Sequence, residues 1–111
     1  MKNEKHEQVL MRIFLSEADK HNGKLVYRRI SELLHEQKIA GASVIRGIAG
    51  FGHKSHRHTA NLLALSQNLP IIIEAIDSKE NIDKVLPKIE QILDDGLITF
   101  EDVKAIRYSK N

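Results

Sequence analysis

Thirteen consecutive residues concentrate the chain's chemistry. Arg46-Gly47-Ile48-Ala49-Gly50-Phe51-Gly52 runs straight into His53-Lys54-Ser55-His56-Arg57-His58, and the stretch holds three of the six glycines and three of the six histidines. No Asp or Glu stands between Gln37 and Ile73, whereas Lys38, Arg46, Lys54 and Arg57 all do. Glycine lets a backbone approach a ligand closely, and cationic side chains beside it suit an anion. The functional reading is that Gly50 and Gly52 turn backbone N–H groups toward an anion, with Arg46 beside them. The spacing is G-x-x-G-x-G, not the dinucleotide fingerprint G-x-G-x-x-G, and no Lys-Ser pair directly follows the last glycine as in a phosphate-binding P-loop. The structural alternative is that Gly47, Gly50 and Gly52 bend a strand into a long loop. Arg46 favours the functional reading, because a charge inside an apolar strand needs a partner or an opening to solvent.

His53, His56 and His58 fall within six residues, and neutral imidazoles are transition-metal ligands. A metal-binding regulatory protein built on these three is therefore the alternative reading. Lys54 and Arg57 are interleaved with them and repel a divalent cation, and no carboxylate is near in sequence to orient the rings. A solvated loop whose positive charge grows below about pH 6.5 is the commoner outcome. Glu17 and Asp19 suggest acid–base chemistry but show no partner in the sequence. Ser55 and Thr59 lie near histidine, yet nothing holds a nucleophile and a base in register. The chain is expected not to be an enzyme and to need no cofactor.

These residues sit in one domain spanning residues 1–111, long enough to bury a core without staples. Cysteine is absent, which excludes disulfides, a thiolate nucleophile and a zinc–thiolate site. No apolar run approaches the roughly 20 residues that span a membrane, and the N-terminus lacks the pattern of a signal peptide. A soluble, cytoplasmic protein is expected. The formal net charge of +2 is unevenly spread: residues 1–36 sum to +1, residues 37–73 to +4 and residues 74–111 to −3. That asymmetry suits a small anion or the alignment of subunits. It is too mild for nucleic acid, which needs a denser basic face and more aromatics than 5%.

The elements that position the segment follow from periodicity. Val9, Met11, Ile13 and Leu15 alternate with Leu10, Arg12 and Phe14, a strand, with residues 1–7 expected to be a disordered tail. Asn22-Gly23 marks a turn. A helix follows from about Leu25 to Gln37 on the stripe Val26, Ile30, Leu33 and Leu34, and Gly41 closes that excursion. Ser43 to Phe51 reads as a second strand. Thr59 to Ser66 reads as a short helical turn, and Pro70 opens a third strand through Ile76. A second helix starts at Asp77, with Glu80 completing a capping box. Its stripe is Ile82, Val85, Leu86, Ile89, Ile92 and Leu93. Pro87 predicts a kink or restart, and Gly96 a left-handed stop. Leu97 to Phe100 is a short apolar run before a last strand from Val103 to Tyr108.

The order is β-α-β-loop-β-α-β. Two such halves make an α+β, ferredoxin-like βαββαβ sandwich: a four-stranded antiparallel sheet with two helices on one face. Leu10 and Phe14 oppose Val9 and Met11 on the first strand, Val44 and Ile48 oppose Ile45 on the second, and Ile72 and Ile76 oppose Ile71 and Ile73 on the third, so the sheet face opposite the helices is apolar as well. That face needs a cover, and with only two helices a second subunit is the natural one.

Four segments carry a resemblance: Ser16-Glu17-Ala18-Asp19 with Gly23-Lys24-Leu25-Val26-Tyr27, Gly41 to Gly52, Asn68-Leu69-Pro70-Ile71-Ile72-Ile73-Glu74, and Gly96-Leu97-Ile98-Thr99-Phe100-Glu101-Asp102-Val103. Together they resemble the bacterial and archaeal family called domain of unknown function 190, also uncharacterised protein family 0166, within the PII-like signalling superfamily. R-G-x-x-G-F-G is the most specific piece, while Ser16 stands where a glycine is usual. The resemblance implies a PII-like homotrimer that holds an adenine nucleotide such as AMP, ADP or ATP between subunits. Residues 52–66 would be the T-loop-like insertion, with His53, Lys54, His56, Arg57 and His58 meeting a protein partner, a membrane ion transporter or another target. By position, the resemblance assigns ligand contacts to Arg46, Gly47, Gly50 and Gly52, to Gly96 after the second helix, and to Lys104 and Arg107 on the last strand. The longer glycine-rich loop that PII proteins use after the second helix is here reduced to Asp95-Gly96.

Overall fold

The computed structural model describes residues 2–51 and 68–110. Among these residues, six strands and two helices follow one another: β1 Lys2–Ser16, β2 Lys20–His21, β3 Lys24–Leu25, α1 Val26–Glu36, β4 Gly41–Arg46, β5 Pro70–Asp77, α2 Lys79–Glu90 and β6 Leu97–Ser109. The main sheet is antiparallel in the order β4-β5-β1-β6, and β2 and β3 form a separate small hairpin. This is the ferredoxin-like sandwich expected from the order of elements.

Alternation decides which side of the sheet is covered. Val9, Met11, Ile13 and Leu15 of β1 and Ile71, Ile73 and Ala75 of β5 are buried, and register places Met11 beside Ala75 and Ile13 beside Ile73. Val26, Ile30, Leu33 and Leu34 of α1 and Ile82, Val85 and Ile89 of α2 close the same core. Burying a side chain of this size contributes about 1.5–3 kcal/mol, so this layer is what holds both helices to one face.

The other face carries Leu10, Arg12 and Phe14 of β1, Ile72, Glu74 and Ile76 of β5, and Ser43 and Ile45 of β4. Register aligns Arg12 with both Glu74 and Thr99. Arg12 Nε donates to Glu74 Oε2 at 2.8 Å and Nη1 to Glu101 Oε1 at 3.1 Å. Apolar residues therefore surround one ion cluster on a face that neither helix covers. Ile48 falls beyond the end of β4 and belongs to neither face.

Several boundaries differ from those expected, each for a physical reason. The segment 1–7 is not a tail: from Lys2 onward it pairs with β6, Glu4 opposite Arg107 and Glu7 opposite Lys104. Because β5 ends opposite Val9, residues 2–8 and 103–109 form a two-stranded ribbon overhanging the body. It accounts for the 50 Å long axis against 28 and 23 Å for the others. Leu97–Phe100 and the last strand are one strand, β6. The second strand stops at Arg46, before the glycines.

Helix α1 ends on a left-handed Lys38, φ 59°, not at Gly41. Lys38 N–H bonds His35 O and Ile39 N–H bonds Leu34 O, the paired bonds of a Schellman turn. The cap of α2 is Ser78, whose side chain accepts from Asn81 N–H at 3.2 Å, one residue later than the Asp77/Glu80 box. Pro87 does not restart α2, which runs through it without interruption from Lys79 to Glu90. Asp83, whose carbonyl loses its donor to the proline, lies on the exposed side, where water replaces the missing bond. The Asn22-Gly23 turn is as expected, with φ of 53° and 80°, the two positive values of a type I′ hairpin. Gly52, the loop histidines and the expected helical turn at 59–66 lie outside the described residues. No helix among the described residues is long and apolar enough to cross a membrane.

Candidate functional site

Strand β4 delivers Arg46 to the end of the sheet at which β1 leaves and β5 and β6 enter. Arg46 lies opposite Ile71, Ile71 opposite Leu15, and Gly96 directly precedes Leu97, the partner of Phe14. Arg46, Gly47, Gly50 and Gly96 therefore share one end of the sheet. The charge that the sequence left without a partner has one here. Arg46 Nε is 3.0 Å from Glu17 Oε2, and Nη2 donates to Glu17 Oε1 at 3.1 Å. This is a bidentate fork on one edge of the guanidinium, and it leaves Nη1 without a partner among the described residues. Glu17, singled out in the sequence for acid–base chemistry, is instead the counter-ion of Arg46. Its signal was position alone, two beyond the last core residue of β1, and nothing in the sequence linked it to Arg46.

The glycines have steric reasons of their own. A Cβ on Gly47 would stand 2.7 Å from Pro70 Cγ and one on Gly50 3.1 Å from it, so the chain after β4 lies directly on the Pro70 ring. Gly47 N–H is already used, donating to Pro70 O at 2.8 Å. On the other side, Glu17 N–H donates to Leu69 O at 2.8 Å. The two stems of the segment 52–67 are thus bonded to one another and to the exit of β1. Both readings of these glycines keep a part: the backbone is brought close, and what it is brought close to in this chain is Pro70.

Gly96 is not a left-handed helix stop. Helix α2 ends six residues earlier, and a Cβ at Gly96 would stand 2.6 Å from the Phe14 backbone carbonyl oxygen. The turn leading to it carries Asp94 and Asp95. A cleft of about 200 Å³ beside it is lined by Ala18, Asp19, Lys20, Val26, Asp94 and Asp95, and His21 Nδ1 meets Asp94 Oδ2 at 3.0 Å. Its acidic lining does not suit a phosphate. A second cavity of about 370 Å³, between α1 and β4, is lined chiefly by Leu34, Ile39, Ala40, Ala42 and Val44. Among the described residues that line it, none but His35, in its protonated form, is a cation that could hold an anion.

Lys104 and Arg107 are not brought to this place. Both are exposed on the overhanging ribbon, opposite Glu7 and Glu4. Leu15, in line with Arg46, is eleven residues from Glu4, roughly 36 Å along the strand at 3.3 Å per residue. Being three apart, Lys104 and Arg107 also project from opposite faces of β6. Among the described residues no group of three metal-ligating side chains exists, and His53, His56 and His58 lie outside them.

Known proteins agree with this architecture. The family model of domain of unknown function 190, described as "Uncharacterized ACR", matches residues 8–105. The UPF0166 protein MJ1524 of Methanocaldococcus jannaschii is 40% identical over 94 residues, 84% of this chain and 86% of that protein. A UPF0166 protein of Aquifex aeolicus is 39% identical over 97 residues, 87% of this chain and 91% of its own. Among solved structures, CPII from Thiomonas intermedia K12 bound to ADP, AMP and acetate has a TM-score of 0.58 at 15% identity, covering 92% of this chain and 91% of its own. A putative PII-like signaling protein from Thermus thermophilus has a TM-score of 0.57 at 15% identity, covering 95% and 92%. The fold is PII-like.

Proposed function

This chain belongs to the domain of unknown function 190 family, and from that premise we propose that it is a PII-like regulatory protein rather than an enzyme. It acts as a homotrimer that binds a small anionic effector, an adenine nucleotide such as AMP, ADP or ATP, in clefts between subunits. Occupancy is passed to a protein target through the 52–66 loop. The observation that carries this reading is the separation of the expected ligand residues. Arg46, Gly47, Gly50 and Gly96 stand at one end of the sheet, and Lys104 and Arg107 on a ribbon at the other. One subunit cannot close both groups on a single nucleotide. Adjacent subunits can, and the uncovered apolar face gives them a reason to associate. The likeness to CPII, whose structure holds ADP and AMP, supports the choice of effector.

Within such a cleft, Arg46 supplies charge from the end of β4, and Lys104 and Arg107 supply it from the neighbouring subunit. Gly52 and the loop cations His53, Lys54, His56, Arg57 and His58 complete the proposal from outside the described residues. Isothermal titration with AMP, ADP, ATP and cyclic nucleotides tests it. Saturable heat lost in Arg107→Ala is expected. A folded oligomer that gives no heat at millimolar nucleotide would refute the effector class.

A further inference from the structure

We infer that Glu17 is a built-in competitor for the anion site: its carboxylate occupies Arg46 when no ligand is present, and an anion binds by displacing it. The inference rests on the reading that an anion binds at Arg46. Three observations carry it. The contact is bidentate, 3.0 and 3.1 Å, and a carboxylate fork on guanidinium is the geometry that a phosphate would use. Glu17 is the more enclosed partner, its side chain 21% exposed against 58% for Arg46, so the carboxylate is held while the cation faces solvent and any incoming ligand. Glu17 is also anchored from the main chain, with its N–H on Leu69 O. One residue thereby grips Arg46 on one stem of the 52–67 segment through its side chain, and Leu69 on the other stem through its backbone.

Displacement has a structural consequence. Once a ligand takes Arg46, the end of β4 loses its side-chain tie to the exit of β1 and is held by its backbone alone, through its pairing with β5 and the Gly47–Pro70 bond. Occupancy of the site is then felt at the root of the segment. The device also sets affinity: every anion that binds at Arg46 must outcompete an intramolecular carboxylate already in place, which lowers the affinity of all of them by one common factor.

The test is titration of ADP into the full-length wild type, Glu17→Gln, Glu17→Asp and Arg46→Gln at one ionic strength, with each variant's fold checked by circular dichroism. Removing the charge while keeping the shape tightens ADP binding in Glu17→Gln by about two- to fivefold, the span of a solvent-facing ion pair. Glu17→Asp, one methylene shorter, falls between the two, and Arg46→Gln binds at least tenfold more weakly. A purely structural Glu17 would give the opposite sign, because loosening the stems would weaken binding. Equal or weaker binding in Glu17→Gln, with the wild type binding normally, overturns the competitor role and leaves the nucleotide reading standing. Absence of binding in both the wild type and Glu17→Gln overturns the nucleotide reading and the competitor with it.

Discussion

Replacing Gly96 by alanine separates packing from ligand binding at a residue to which both have been assigned. The added Cβ would stand 2.6 Å from Phe14 O and 3.2 Å from Leu93 Cδ1. The leucine is at the end of a flexible side chain and can turn away. The carbonyl cannot, because Phe14 is paired on both sides, with Ile72 and Leu97, and moving it shifts the two central strands together. Overpacking of this kind costs about 1–3 kcal/mol. The φ of Gly96, 158°, is one that an L residue rarely adopts, and this strain offsets the lower entropy of an unfolded chain with alanine, leaving a net loss of about 1–2 kcal/mol. With a urea m-value of about 1.5 kcal/mol/M, the unfolding midpoint falls by about 1 M. The measurement is urea unfolding followed by circular dichroism without nucleotide, at one protein concentration because association adds to apparent stability. A midpoint within about 0.3 M of wild type would refute the steric argument. Gly96 would then have to be explained by what it binds rather than by what it touches.

Other consequences follow from the same contacts. Burial pushes the Asp77 carboxyl up, but hydrogen bonds from Ser78 and Ala40 N–H and from Asn81 outweigh it and hold it below the ordinary aspartate value. With a depressed folded-state value, its contribution is present above the unfolded value of about 3.9 and is lost as pH falls below it; Asp77→Asn should cost about 2 kcal/mol at pH 7 and flatten the acid limb of a stability–pH profile, and an unchanged limb would remove Asp77 from the account. Ile72→Glu puts a charge on the uncovered face without entering the core, so light scattering should report the 12.6 kDa monomer mass with the far-ultraviolet spectrum retained; an unchanged oligomer mass would mean that subunits meet elsewhere.

The fold was legible because its signal is local. Alternation in Val9–Leu15 and Ile71–Ile76 and the stripes of both helices each need only a short window, and together they gave the order of elements. What was missed depends on pairing. Lys2–Gln8 has no apolar alternation and reads as a tail, yet β6 runs far enough to hold it. Lys38 takes the left-handed turn that a glycine was expected to mark. The candidate site was half legible. The cluster of Arg46 with Gly47 and Gly50 was found, but its counter-ion was not, because Glu17 is 29 residues away and only the sheet brings it near. The run from 37 to 73 is free of acids in sequence and is not free of them in space.

That difference alters how the uncovered face should be understood. Arg12 is flanked by Glu74 and Glu101 in the midst of Leu10, Phe14, Ile72 and Ile76, and hydrogen bonds to Glu74 and then Glu101 raise its hold on its proton. A cluster with one cation and two carboxylates has a net negative charge. Laid against an apolar cover it is costly, because desolvation is not repaid for the second carboxylate. In the homotrimer proposed above, rotated copies would bring their clusters toward a common region and their apolar residues together around it. In that homotrimer the cluster would add little to the strength of association and much to its register. Register is what a two-subunit site requires, since an offset of one residue at the interface carries Lys104 and Arg107 about 3.3 Å along the strand, more than the length of the hydrogen bonds they would have to make to a nucleotide held at Arg46.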